Sequence, residues 1–125
     1  MNAEELVAEA RAGLERLEPA DAQRALESGA MLLDIRADSQ RERDGLIPGA
    51  RVLNRNVLEW RLDPQSDWRD PELARADAHV VLMCQDGYQS SLAAANLQRL
   101  GIERATDVVG GFRAWRAAGM PVARP

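Results

Sequence analysis

The stretch VVLMCQDGYQSSLAAANLQRLG, residues 80–101, opens as an apolar run, closes as a helical pattern and holds the chain's only cysteine, Cys84, at the junction. A thiolate there would be the strongest nucleophile this composition offers. All 16 basic residues are arginine, so lysine chemistry of the Schiff-base or P-loop kind is absent. The single histidine, His79, precedes the same apolar run. Extended chain rises ~3.3 Å per residue, which places His79 at the far end of the strand from the thiol. It reads as a strand-end histidine, not as a base for Cys84. One cysteine and one histidine make neither an internal disulfide nor a Cys/His zinc site. No metal and no cofactor are expected.

The turn between Cys84 and the helix can hold an anion. Gly87 gives the backbone freedom to curl, successive N–H groups in such a curl converge into a concave nest, and the following helix adds its positive end. A helix terminus contributes up to ~2 kcal/mol, enough to favour a thiolate over a thiol by roughly tenfold or more. The loop itself can therefore activate the sulfur, although Asp86 opposes the effect. A small buried cysteine ending a strand is common, so the turn alone leaves both readings open.

The elements around it alternate. Residues 3–17 read as a helix on the spacing of Leu6, Ala10, Leu14 and Leu17, and a second helix runs from about Pro19 to Glu27. Strands are expected at 31–35, 50–53, 79–83 and 105–109. Helices are expected at Ser90–Leu100 and after the GG of residues 110–111, and a short one in NVLEWRLD is capped by Asn56. Apolar strands alternating with helices imply βαβ units and a parallel sheet covered on both faces. Ligands of such sheets bind beyond the carboxyl ends of the strands. Asp34, Arg36, Asn54, Arg55, Cys84, Gly110 and Gly111 all fall at those ends.

With 125 residues the chain is one domain's length, and 46% hydrophobic with 29% charged residues is the balance of a folded protein. A net charge of −4 is no nucleic-acid footprint and draws the chain to no anionic lipid. No run approaches the ~18 apolar residues of a membrane span, and the acidic amphipathic start lacks a signal-peptide pattern. A cytoplasmic protein without nucleic-acid or membrane partners is expected.

Four segments, in order, resemble the single-domain rhodanese-like family: LLDIR (32–36), GLIPGA (45–50), CQDGYQSS (84–91) and VVGGFRAW (108–115). The resemblance covers roughly residues 19–121. It implies an α/β rhodanese-like three-layer fold, a central parallel sheet of about five strands with helices on both faces. Residues 19–125 then form the domain and residues 1–18 an amino-terminal helical extension. It also implies a sulfurtransferase. Cys84 takes a sulfane sulfur from a small donor anion such as thiosulfate, or from a persulfide donor, and passes it to a thiol or cyanide. The amides of Gln85, Asp86, Gly87, Tyr88, Gln89 and Ser90 cradle the persulfide.

Two departures stand out. Leu46 replaces the family's usual histidine, and the loop has no basic residue where such enzymes often carry one, at Gln89. Arg55 is the candidate to supply that charge from outside the loop, while Arg36 reads as a structural ion-pair partner. Trp60 and Tyr88 are candidate pocket walls. The weak loop charge keeps a second function in view, a rhodanese-fold binding or sulfur-sensing module with little turnover. A phosphatase on a related fold needs a longer loop and an arginine for the oxyanion, and Ser90 stands six residues after Cys84.

Overall fold

The computed structural model describes residues 1–125. Two apolar strands carry the architecture. β1 (Met31–Asp34) and β3 (Val80–Met83) pair in parallel, Met31 beside Val80 through Asp34 beside Met83. β2 (Arg51–Val52) flanks β1 and β4 (Thr106–Asp107) flanks β3, giving the parallel order β2-β1-β3-β4. A parallel bridge between Leu17 and Val108 continues the sheet one step beyond β4.

Successive strand residues face opposite sides, and both sides are filled. Leu33, Val80, Leu82 and Cys84 share one core with Leu58, Leu62, Ala93, Ala94 and Leu97. These come from α4 (Leu58–Leu62) and α5 (Gln89–Arg99). Leu32, Val81 and Met83 share the other with Ala22, Phe112 and Trp115, from α2 (Pro19–Glu27) and α6 (Gly111–Ala117). At about 1.5–3 kcal/mol per fully buried apolar side chain, the four residues of β3 are the centre of the fold. α3 (Asp38–Asp44) crosses from β1 toward β2.

Two local expectations are corrected. The first helix, α1 (Ala3–Arg11), stops six residues short of Leu17. Gly13 follows its end, Leu14 turns into the core, and Leu17 joins the sheet edge instead of a helix face. The short helical stretch after β2 is capped by Asn54, whose Oδ1 accepts from the Asn56 N–H at 2.8 Å, and not by Asn56. The chain leaves β1 toward β2 on one side and toward β3 on the other, so the order reverses between β1 and β3. Cys84 stands at the carboxyl end of β3, beside that switch point.

Candidate functional site

The loop after β3 is shaped by backbone packed on backbone. Gly87 has φ +82°, Gly110 +74° and Gly111 +59°, all left-handed. A Cβ on Gly87 would lie 2.8 Å from the Gly110 nitrogen, and one on Gly111 would lie 2.7 Å from the Gly87 nitrogen. The GG pair is thus the floor on which the cysteine loop rests. From the start of α6, the Phe112 N–H donates to the Cys84 carbonyl at 2.8 Å and the Arg113 N–H to that of Gln85 at 3.1 Å.

Within this curl Cys84 is buried, and its Sγ has two polar neighbours. The Gly87 N–H donates to it at 3.2 Å, and the Ser90 Oγ lies 3.2 Å away. The amides of Asp86, Tyr88, Gln89 and Ser90 find no acceptor in the chain, which leaves a run of donors around the start of α5. That arrangement suits an anion at or attached to the sulfur.

The remaining loop residues separate. Gln85 is buried and its Nε2 donates to Asp44 Oδ2 at 2.9 Å. The Asp44 carboxyl is held well below the usual range, first by hydrogen bonding from Arg43; burial opposes this, and Gln85 and Arg116 reinforce it. Asp86 points outward and pairs with Arg113 at 2.8 Å. Tyr88 is exposed, with the Arg11 guanidinium 5.3 Å from its ring centroid. Gln89 reaches a cavity of about 380 Å³ at the strand rim, shared with Arg36, Asn54 and Arg55.

Arg55 lines that cavity, but its Nη1 is held by both oxygens of Glu59, at 2.9 and 3.1 Å. Burial works against the Glu59 charge, while Asn96 and Arg55 keep its carboxyl below the ordinary value. Arg36 is buried in a two-point pair with Asp34, at 3.0 and 2.8 Å, and donates to the Gly45 carbonyl. Trp60 is exposed. His79 sits at the opposite end of β3, its protonation disfavoured by burial and then by Arg104, with Glu15 opposing.

Sequence reasoning missed the residues behind the loop. Buried Asp107 of β4 accepts from Ser90 Oγ at 2.6 Å, Ser91 Oγ at 2.8 Å, and Arg16 at 2.8 and 3.2 Å. Arg11 donates to Ser91 Oγ at 3.0 Å and to the Gly87 carbonyl at 2.7 Å, and Arg16 reaches the same carbonyl at 3.1 Å. One signal was present. An aspartate inside the strand pattern ATDVV is a buried charge that needs a partner, but nothing local names Arg16.

A parallel sheet with a cysteine loop at its switch point and a GG floor beneath it defines an α/β domain whose loop is built around one thiol. The Rhodanese-like domain profile matches residues 18–118, and the chain belongs to that family. It is 33% identical over 102 residues to a thiosulfate sulfurtransferase GlpE of Ectopseudomonas mendocina, covering 82% of this chain and 84% of that one. A sulfurtransferase of Allochromatium vinosum is 30% identical, over 76% of this chain and 79% of its own. Among solved structures, one from Rhodopseudomonas palustris aligns with a TM-score of 0.89 and 37% identity, covering 98% of this chain and 94% of that one. It is described as a protein of unknown function and possible tyrosine phosphatase. The polysulfide-sulfur transferase homodimer of Wolinella succinogenes shares the fold, with a TM-score of 0.74 at 24% identity over 95% of this chain and 85% of that one.

Proposed function

We propose that the protein is a sulfurtransferase that carries sulfane sulfur on Cys84. The Cys84 thiolate attacks the outer sulfur of a donor such as thiosulfate. The new S–S bond forms as the donor's own S–S bond breaks, and sulfite leaves with that electron pair. A thiolate or cyanide then attacks the outer sulfur of the persulfide and returns Cys84 as thiolate. The observation that carries this reading is the environment of Sγ. The Gly87 N–H is already on the sulfur, and the amides of Asp86, Tyr88, Gln89 and Ser90 are unspent. Gln85 braces the loop through Asp44, and Arg55 and Gln89 line the cavity at the strand rim, the proposed side of donor approach. Relatives named sulfurtransferases support the same chemistry.

Intact mass spectrometry after thiosulfate treatment tests it. One added sulfur is expected on the native chain and none on Cys84→Ala, which also loses transfer to cyanide while keeping the fold. Turnover retained in Cys84→Ala would overturn the mechanism, since the chain has no other thiol.

One observation favours the second reading, a binding or sulfur-sensing module. The thiol is 1% exposed and hydrogen-bonded to Ser90. A persulfide that forms but is not passed on to cyanide or thiols would select it. For phosphatase chemistry, the description of the R. palustris protein has a specific obstacle here. Arg11 and Arg16 bind the Gly87 carbonyl from outside the loop, and position 90, where an oxyanion-binding arginine would follow, is serine.

A further inference from the structure

The hydroxyl of Ser90 has one proton and two claimants. It donates to Asp107 at 2.6 Å, so the lone-pair side of its oxygen faces Cys84 Sγ at 3.2 Å and receives the S–H. That arrangement fits a thiol and repels a sulfur anion. Rotation about the Cβ–Oγ bond turns the same hydroxyl into a donor to the sulfur. Asp107 then still holds Ser91 Oγ and two N–H groups of Arg16.

We propose that Arg11 and Arg16 are positioning residues of the sulfur site and that, through Asp107, Arg16 sets whether Ser90 serves the carboxylate or the sulfur. This rests on the sulfur-transfer reading for its purpose, but not for its geometry. Arg16 balances the buried Asp107 charge and so weakens its hold on the Ser90 proton. Arg11 and Arg16 together fix the Gly87 carbonyl, and with it the plane of the peptide that carries the Tyr88 N–H, one of the unspent donors of the loop. No covalent bond changes in the switch, and the proton lost when Cys84 ionises passes to the buffer.

The charged groups facing the site fall into few sets. Arg11 and Arg16 come from the amino-terminal segment and Asp107 from β4. Asp86 is paired with Arg113 of α6, and Arg36 with Asp34 at the end of β1. Only Arg16 and Asp107 act on Ser90, and they act in opposite senses.

The test is the rate of Cys84 alkylation by iodoacetamide as a function of pH, followed by mass spectrometry on the full chain. Arg16→Gln should displace the profile to higher pH and slow alkylation at pH 7 roughly fivefold, the scale of one partly exposed ion pair. Arg16→Lys should recover part of that loss, restoring the charge without the two-point contact to Asp107. Asp107→Asn should displace the profile to lower pH, because Ser90 is released to the sulfur. Loop opening scales the height of the profile without moving it along the pH axis, so a purely structural role predicts no displacement. Unmoved profiles, or displacement of both variants in one direction, overturn the proposal. Should either variant fail to fold, Ser90→Ala carries the test. Displacement to higher pH is expected, and an unmoved profile refutes the switch. Alkylation needs no sulfur donor, so native protein that forms no persulfide would overturn the proposed function and leave this result standing.

Discussion

At the residue scale, the question is what compensates a cysteine loop without a basic residue of its own. The structure brings arginines to it from elsewhere. Arg113 covers Asp86, while Arg11 and Arg16 crown the Gly87 carbonyl. All of them are already engaged, and Gln89 still fronts the rim cavity with a neutral side chain. Gln89→Arg is therefore expected to raise kcat/KM for thiosulfate, a dianion, chiefly by lowering KM, since the contact serves ground and transition state alike. One partly exposed pair is worth up to about 1 kcal/mol, or roughly fivefold. Steady-state kinetics at low and high salt check it, because exposed charges are screened beyond ~8–10 Å. Arg113→Ala should act in the opposite direction by leaving Asp86 uncompensated beside the same loop. A Gln89→Arg enzyme with unchanged KM at low salt would indicate a donor other than a small dianion.

At the element scale, the loop exists only because the start of α6 is built to receive it. Gly111 combines a left-handed backbone with a Cβ position that the Gly87 nitrogen already occupies to 2.7 Å. Gly111→Ala adds a left-handed penalty of roughly 1–2 kcal/mol to a backbone clash that cannot relax by side-chain rotation. A loss of at least about 2 kcal/mol in urea unfolding is expected, together with weakened persulfide formation. Full stability in Gly111→Ala would show that the floor is not rigid. Gly101, also left-handed, meets nothing within 4 Å of its Cβ position, so Gly101→Ala is the control that carries only the backbone penalty.

The same contrast explains what the sequence made legible. β3 and its loop could be read because four consecutive buried residues, a glycine and a helix start are local features. The end of α1 could not. Leu14 and Leu17 keep helical spacing, yet one enters the core and the other pairs with Val108. Periodicity records that a residue is apolar and not what it packs against. Asn56 looked like a cap because Asn54, two residues earlier, has the same chemistry. Arg16 and Asp107 meet across 91 residues, and no short-range pattern encodes that.

For the whole molecule, three perturbed groups, His79, Asp44 and Glu59, shape stability against pH. His79 titrates below its ordinary value in the folded chain, chiefly through burial. The unfolded chain therefore takes up its proton first, near pH 6.5. The contribution is complete above about pH 6.5 and is lost as pH falls toward the folded value. Asp44 is likewise lowered, Arg43 being the main cause. Its contribution is complete above about pH 4 and is lost as pH falls through the lower folded value. Urea unfolding from pH 8 to 3 is expected to show a shallow decline starting near pH 6.5 and a steeper one below about pH 4. His79→Gln should flatten the first step alone, and Asp44→Asn should diminish the second. An undiminished first step in His79→Gln would assign it to another group.

The bond between Arg16 and Asp107 also has a history in time. Synthesis proceeds at about 5–20 residues per second, and Arg16 is made 91 positions before its partner. For several seconds the nascent chain holds Arg16 without its carboxylate partner. Cys84 likewise is joined to the chain before the residues of β4 and the GG floor. The pairing of β1 with β3 has a similar delay, and such long-range closures are slow to form. Until those residues are made and folded, the sulfur lacks the shelter that buries it in the finished chain. The last quarter of the sequence is what ends that interval.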